Sequence, residues 1–168
     1  LGLVNDLYRR GLKGLNLSLI ISDNCSGLKN AVNYVYPYAA LQLCAVYKPR
    51  NVLSKINNKT QNRKKVMPQA CKIFKSETKK EAITRYNRFL KEWALKEPRV
   101  VKTMKKDIEY YFTYFNFSEN KRKILKSTNP LERINREPHR VTRRVGCFQS
   151  QKSLDVFTPL EIRCRRRL

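Results

Sequence analysis

The run from Leu15 to Ser22 constrains the chain most. Leu15, Leu17, Leu19 and Ile21 alternate with smaller or polar residues, and Ile20 makes the end continuously apolar. Period-two alternation predicts a strand, and the apolar end predicts that both its faces are covered there. Asp23 follows at once. A helical pattern then runs over Asn24 to Ala40, with Leu28, Ala31, Val32 and Val35 on one face and Pro37 near its end. In α/β folds chemistry gathers just past the carboxyl ends of strands, which is where Asp23 falls. An aspartate before a helix is also an ordinary cap or turn residue, so the residues alone leave both roles open. Upstream, Leu1 to Leu12 carries a short helical pattern ending at Gly11, and Gly14 marks a turn. Downstream, Leu41 to Lys48 alternates again and predicts a second strand, which runs into Arg50 and Asn51.

Asn51 to Asn62 is polar and basic, and the run Arg63-Lys64-Lys65 is read as a solvated face or loop. Ser76 to Pro98 predicts a helix. Ile83, Tyr86, Leu90 and Trp93 share a face, Glu81 precedes Arg85 by one turn, and Pro98 ends it. A second helix is predicted from Arg99 to Phe115, with Val101, Met104, Ile108, Tyr111 and Phe115 as its stripe. The two read as an antiparallel pair. Tyr110, Tyr111, Phe112, Tyr114, Phe115 and Phe117 could stack on nucleic-acid bases, but at helical spacing they are read as core, as is Trp93.

Ser127 to Phe148 opens as a helix should. Asn129 suits the N-cap, Pro130 the first helical position, and Glu132 falls at N3, where its carboxylate can reach back to the cap. Leu131, Ile134, Val141 and Val145 form one stripe, and Arg133, Arg136, Arg140, Arg143 and Arg144 crowd the rest. Glu132 is a capping-box residue with an i,i+4 partner in Arg136 on the plain reading. His139, the one histidine, sits among these arginines and is read as a phosphate-proximal or solvent residue.

Composition decides the class of partner. Lys and Arg number 37 against 13 Asp and Glu, a net charge of +24 that calls for a polyanion. Nucleic acid is the first candidate, a membrane surface the second and an RNA assembly the third. With 41% apolar residues spread through its 168 positions, the chain can bury a core and is not a disordered basic arm. Its five cysteines form no CxxC pair and are odd in number, which predicts reduced thiols in a cytoplasmic setting. No apolar run approaches the ~20 residues needed to span a bilayer, and the first residues have no secretory pattern.

The stretch Thr128-Asn129, Glu132, Asn135-Arg136, Arg140 to Arg144 and Gly146-Cys147-Phe148 resembles the C-terminal signature of the Mutator family of DNA transposases. Arg10-Gly11-Leu12, Ile20 to Asp23, Gly27-Leu28 and Ala31 resemble a second block of that family, and Gln42, Cys44, Arg50 and Asn51 a third. The resemblance covers about residues 1 to 153. It implies an α/β, partial RNase H-like fold interrupted by an all-helical insertion. The implied boundaries are 1–50 for the core strands and helix, 51–126 for the insertion, 127–150 for the Glu132 helix and 151–168 for a basic tail.

It further implies that Asp23 and Glu132 are the second and third metal-binding acids of a three-acid site using Mg²⁺ or Mn²⁺. Arg50, Arg133, Arg136, Arg140, Arg143 and Arg144 would bind DNA, and a homodimer is plausible because transposition joins two ends. Three departures stand out. Tyr47 replaces a family histidine and cannot replace an imidazole as a metal ligand. Pro138 replaces a helix former and predicts a kink. The one acid before Asp23 is Asp6, which is wrongly placed for the first catalytic acid. The chain also lacks an initiator Met. The expectation is therefore a truncated transposase or a fragment of one, inactive alone, with a non-enzymatic nucleic-acid-binding protein as the alternative.

Overall fold

The computed structural model describes residues 1–56, 61–147, 150, 152, 153 and 156, with backbone alone at 61, 137, 138, 141 and 145. They form two compact units, Leu1–Ser127 and Thr128–Leu168. The first is a mixed α/β unit, mostly helical, around a two-stranded parallel sheet.

Helix α1 (Gly2–Arg9) leads into β1 (Leu19–Ser22), α2 (Ser26–Val35) and β2 (Ala40–Leu43). The strands pair parallel, with Leu19 opposite Ala40 and Ser22 opposite Leu43. Both are shorter than the alternation predicts. Leu15 to Ser18 is not strand, because the Leu17 N–H turns back to the Gly14 carbonyl and leaves Leu15 exposed. Gly14 sits at φ +85°, and a Cβ there would lie 2.8 Å from Cδ1 of Tyr36. The Tyr36 hydroxyl in turn donates to the Leu12 carbonyl, so this turn closes on α2's end. Beneath it Val4, Ala31 and Tyr36 form a small core.

The second strand stops at Leu43, and Tyr47 to Lys48 is helix instead of strand: α3 spans Tyr47–Leu53. The Cys44 N–H still reaches the Ser22 carbonyl, but the Ala45 N–H bonds the Lys126 carbonyl, outside the sheet. With the ladder ended, Pro49 falls in the first turn of α3, where a missing N–H costs nothing.

The segment before residue 76, where Arg63-Lys64-Lys65 is read as a solvated face or loop, is largely helical: α4 spans Gln61–Phe74 and contains Pro68. Val66, Ala70, Ile73 and Phe74 are buried on its inner face, while the Arg63-Lys64-Lys65 run is exposed as predicted. Helix α5 (Lys79–Trp93) is shorter than predicted and has a side-chain cap, Thr78, which accepts from the Glu81 N–H at 3.2 Å. Glu81 also holds Arg85 at 2.5 Å, the expected i,i+4 pair. Trp93 is buried, and its Nε1 donates to Gln69 on α4 at 2.6 Å.

The single helix predicted over Arg99 to Phe115 is three pieces: α6 (Pro98–Lys105), α7 (Ile108–Tyr111) and a 3-10 turn, Thr113–Asn116. Asp107 breaks it at φ +57°, a left-handed conformation that aspartate tolerates better than most residues. Its carboxylate takes Lys29 of α2 at 2.7 Å. The predicted stripe is largely buried all the same, with Val101, Met104, Tyr111 and Phe115 inside and Ile108 half-buried. Tyr111, Phe112, Tyr114 and Phe115 pack with Phe74 in the main core, so the core reading of the aromatic group holds for these four, while Tyr110 and Phe117 are half-buried. Helix α8 (Glu119–Leu125) completes the unit.

Gln42 ties sheet to helices. Its side chain is fully buried on β2. Its Nε2 donates to the carbonyls of Leu43 (2.6 Å) and Tyr111 (3.2 Å), and its Oε1 accepts the Tyr114 N–H at 2.7 Å.

In the second unit, α9 spans Asn129–Val145 and ends at Gly146, φ +74°. The N-cap is Thr128 and not Asn129, so Glu132 stands one position deeper than predicted. Its backbone runs as helix past residue 138, without a break at the proline. The side chains of Pro138, Val141 and Val145, together with Phe148, Arg163, Arg165, Arg166 and Arg167, lie outside the described residues.

Candidate functional site

Asp23 stands one residue past the end of β1, exposed. The N-cap position of α2 is Cys25, not Asp23, and the Cys25 side chain makes no cap bond. The Cys25 N–H bonds the Asp23 backbone carbonyl at 2.8 Å, so Asp23 opens a turn at the strand's carboxyl end.

Arg50 belongs to the same unit. It is exposed on α3, and its guanidinium lies 5.6 Å from the centre of the Tyr47 ring. Cys44, three residues before Tyr47, is buried. Two residues before Arg50, on the buried side of α3, is Lys48, a cation with 2% of its surface exposed. Its Nζ donates to the Lys106 carbonyl and sits 4.6 Å from the centre of the Tyr111 ring.

Burial pushes the Lys48 ammonium down to about 8, against an upward pull from Asp107 and Glu109. The folded state therefore binds fewer protons than the unfolded one above that value, so stability should rise with pH from about 8 to 10. The tyrosines act the other way: burial raises Tyr111 above its ordinary range and Tyr114 to about 12, so stability falls once pH passes the unfolded tyrosine value. Denaturant titrations at pH 7 and pH 10 should show a gain of about 2 kcal/mol, which Lys48→Met abolishes. A wild-type profile flat over that range would refute the assignment.

Glu132 belongs to the second unit, in the first turn of α9, where a carboxylate complements the helix dipole. Its Oε1 accepts the Thr128 hydroxyl at 3.1 Å, which ties it to the side chain of the N-cap residue. One recess along the helix is lined by Glu132, Asn135, Arg136, His139, Arg140, Arg143 and Arg144. These positions recur every three or four residues, which puts them on one face. Arg133 is not among them. The face is exposed, about 18 Å long at 1.5 Å per residue, with one acid at its start and four arginines beyond it. Leu131 and Ile134, the described half of the predicted apolar stripe, are also exposed.

The structure thus groups Glu132 with Arg136, Arg140, Arg143 and Arg144, while Asp23 and Arg50 stand in the other unit. Among the described residues no three of His, Cys, Asp and Glu cluster closely enough to hold a metal ion. Asp23 and Glu132 each carry hard oxygen donors of the kind Mg²⁺ and Mn²⁺ prefer. The Asp6 carboxylate, on α1, faces Arg10 at 3.5 Å. Among the described residues no helix is long and apolar enough to cross a membrane.

Sequence reasoning missed the buried Lys48 and the structural part played by Gln42. A polar residue inside an otherwise apolar strand was the available signal for Gln42. None existed for Lys48, whose burial depends on α6 and α7.

The family model described as "Transposase, Mutator family" matches residues 1–157. The chain is 33% identical to the transposase for insertion sequence element ISRM5 of Rhizobium meliloti, over 88% of its own length and 36% of that protein's. It is 33% identical to the transposase for insertion sequence element IS406 of Burkholderia multivorans, covering 89% of the chain and 38% of the relative. For the transposase for insertion sequence element IS905 of Lactococcus lactis the figures are 26%, 92% and 38%. The chain therefore spans less than two fifths of the length of these three relatives.

Proposed function

We propose, since the chain belongs to the Mutator family of transposases, that it serves metal-dependent DNA strand cleavage and strand transfer for an insertion sequence. Asp23 and Glu132 are two of the three catalytic acids, set on an RNase H-like core with a helical insertion. The observation that carries the reading is the face of α9, where Glu132 opens a row of four arginines. A carboxylate among cations is what a site needs if it must hold a divalent ion and a polyanion together.

When bound, Mg²⁺ or Mn²⁺ stabilises the charge that develops on the attacking and leaving oxygens of a phosphodiester. The chain's own residues do the rest. Asp23 and Glu132 supply oxygen ligands from distant parts of the sequence, which leaves the site open to a long polymer. Arg136, Arg140, Arg143 and Arg144 bind backbone phosphates and release counterions, and Arg50 and Arg133 add contacts. With two acids of three, these residues are not expected to cleave DNA by themselves. Transposition joins two DNA ends, so two copies would act together.

The test is DNA affinity as a function of salt. The logarithm of the binding constant should fall steeply with the logarithm of salt concentration. Changing the four arginines of the α9 face to Gln should make that slope shallower by about 3 to 4. Adding Mg²⁺ should alter the DNA complex of the wild type but not that of Asp23→Asn or Glu132→Gln. An Mg²⁺ response unchanged in both variants would favour the second reading, a non-enzymatic DNA-binding protein. The row of arginines on α9 serves that alternative as well, without any catalysis. Metal-dependent nicking by the purified chain would overturn the expected inactivity.

A further inference from the structure

We propose that a basic cleft within Leu1–Ser127 is a second site for the backbone phosphates of DNA, separate from the α9 face. It rests on the DNA-binding reading above and adds a place where nothing in the family match puts one. Three stretches meet there: the end of α4 and the turn after it (Lys75 to Glu77), Tyr114 in the 3-10 turn, and α8 with the residue following it (Glu119 to Lys126). They enclose a cavity of about 440 Å³.

Arg122 organises the cleft. Its Nε donates to the Phe117 carbonyl (2.9 Å), and its two terminal nitrogens donate to the carbonyls of Glu77 and Phe115 (3.2 Å each). The Glu77 bond pins α8 against the turn that follows α4, and the other two hold it to the 3-10 turn and the residue after it. Arg122 is thus a positioning residue, with one N–H of each nitrogen committed. The ligand-facing cations are Lys75, Lys123 and Lys126. Glu77 and Glu119 also line the cleft, and Glu119 lies 3.6 Å from Arg122, so the balance remains positive.

Tyr114 points to a ligand independently. Its side chain is 2% exposed and lines the cleft, yet its hydroxyl has no hydrogen-bond partner among the described residues. A buried hydroxyl left unpaired costs stability, and such groups call for an explanation. Burial keeps this one protonated, its ionisation raised to about 12, so it is available as a donor. The hydroxyl has almost no exposed surface of its own, so a phosphate held by the lysines becomes its acceptor as the lining beside Tyr114 opens.

The experiment uses the full chain, a labelled DNA duplex and a series of salt concentrations. Lys75→Gln with Lys123→Gln, both exposed positions, should leave the thermal midpoint unchanged and make the salt slope shallower by about 2. Lys64→Gln with Lys65→Gln removes the same charge from an exposed stretch elsewhere and should leave the slope nearly intact. Tyr114→Phe should weaken DNA binding about tenfold while holding or raising the thermal midpoint.

Equal slope changes in the two lysine pairs would mean bulk charge and overturn the proposal. So would a Tyr114→Phe variant that loses stability and keeps its affinity. If the cleft variants bind as wild type while the α9 variants lose their slope, the second site falls and the proposed function stands. If the wild type binds no DNA, both fall.

Discussion

Gln42→Leu is expected to destabilise the first unit by about 3 to 5 kcal/mol, because it strands partners and not only itself. The amide serves the Leu43 and Tyr111 carbonyls and the Tyr114 N–H, all from a fully buried position. Leucine fills the space but bonds none of them. The Tyr114 N–H loses its acceptor, and the Tyr111 carbonyl loses the bond that holds α7 to β2. Gln42→Glu is the informative companion. A carboxylate still accepts from the Tyr114 N–H but cannot donate to either carbonyl, so this variant should be no better at neutral pH. It should recover partly in acid, where the protonated acid regains one donor. Urea unfolding followed by Trp93 fluorescence measures both. A loss under 1 kcal/mol for Gln42→Leu would mean that water or relaxed backbone replaces the lost bonds.

Trp93→Ala should cost about 3 to 5 kcal/mol, the range for deleting a large buried aromatic side chain. Trp93 packs on Phe89 with ring centres 6.4 Å apart, and its Nε1 bonds Gln69 at 2.6 Å. That bond crosses from α5 to α4, so the indole joins the two helices by area and by a donor. Trp93→Phe separates the contributions: much of the packing remains and the Gln69 oxygen loses its donor. A cost of about 1 to 2 kcal/mol is expected for it. Circular dichroism melts of both variants give the comparison. Equal losses would assign the whole effect to the hydrogen bond.

The parts of this fold legible in the sequence are those whose pattern is local. The α5 stripe and its Glu81–Arg85 pair repeat with helical period and need no distant partner to be recognised. Ile20 to Asp23 was legible because a continuous apolar end running into an acid has few alternatives. Leu15 to Leu17 misled, since alternation continues through a turn that only the Gly14 backbone and the Tyr36 ring impose. Helix α4 was hidden by a run of three cations and by Pro68, although Val66, Ala70 and Ile73 recur at helical spacing. The stripe over Val101 to Phe115 was read correctly as an inward face and wrongly as one helix. Burial fixes which side chains turn inward and leaves the backbone between them free to break at Asp107.

For the candidate site, Glu132 and the arginines of α9 stood out in the sequence, but the face that joins Glu132 to four of them and leaves out Arg133 emerged only once the helix was built. The basic cleft could not be drawn, since Lys75, Tyr114 and Lys123 meet only after two helices have packed.

The bond between Lys29 and Asp107 joins two demands at one position. Residue 107 must accept a left-handed backbone, which favours glycine, asparagine and aspartate. It must also face a half-buried ammonium, which only aspartate among these three neutralises. The pair is therefore expected to vary together among relatives. Lineages that keep a cation at position 29 should keep aspartate at 107, and those that drift to glycine at 107 should have lost the cation first.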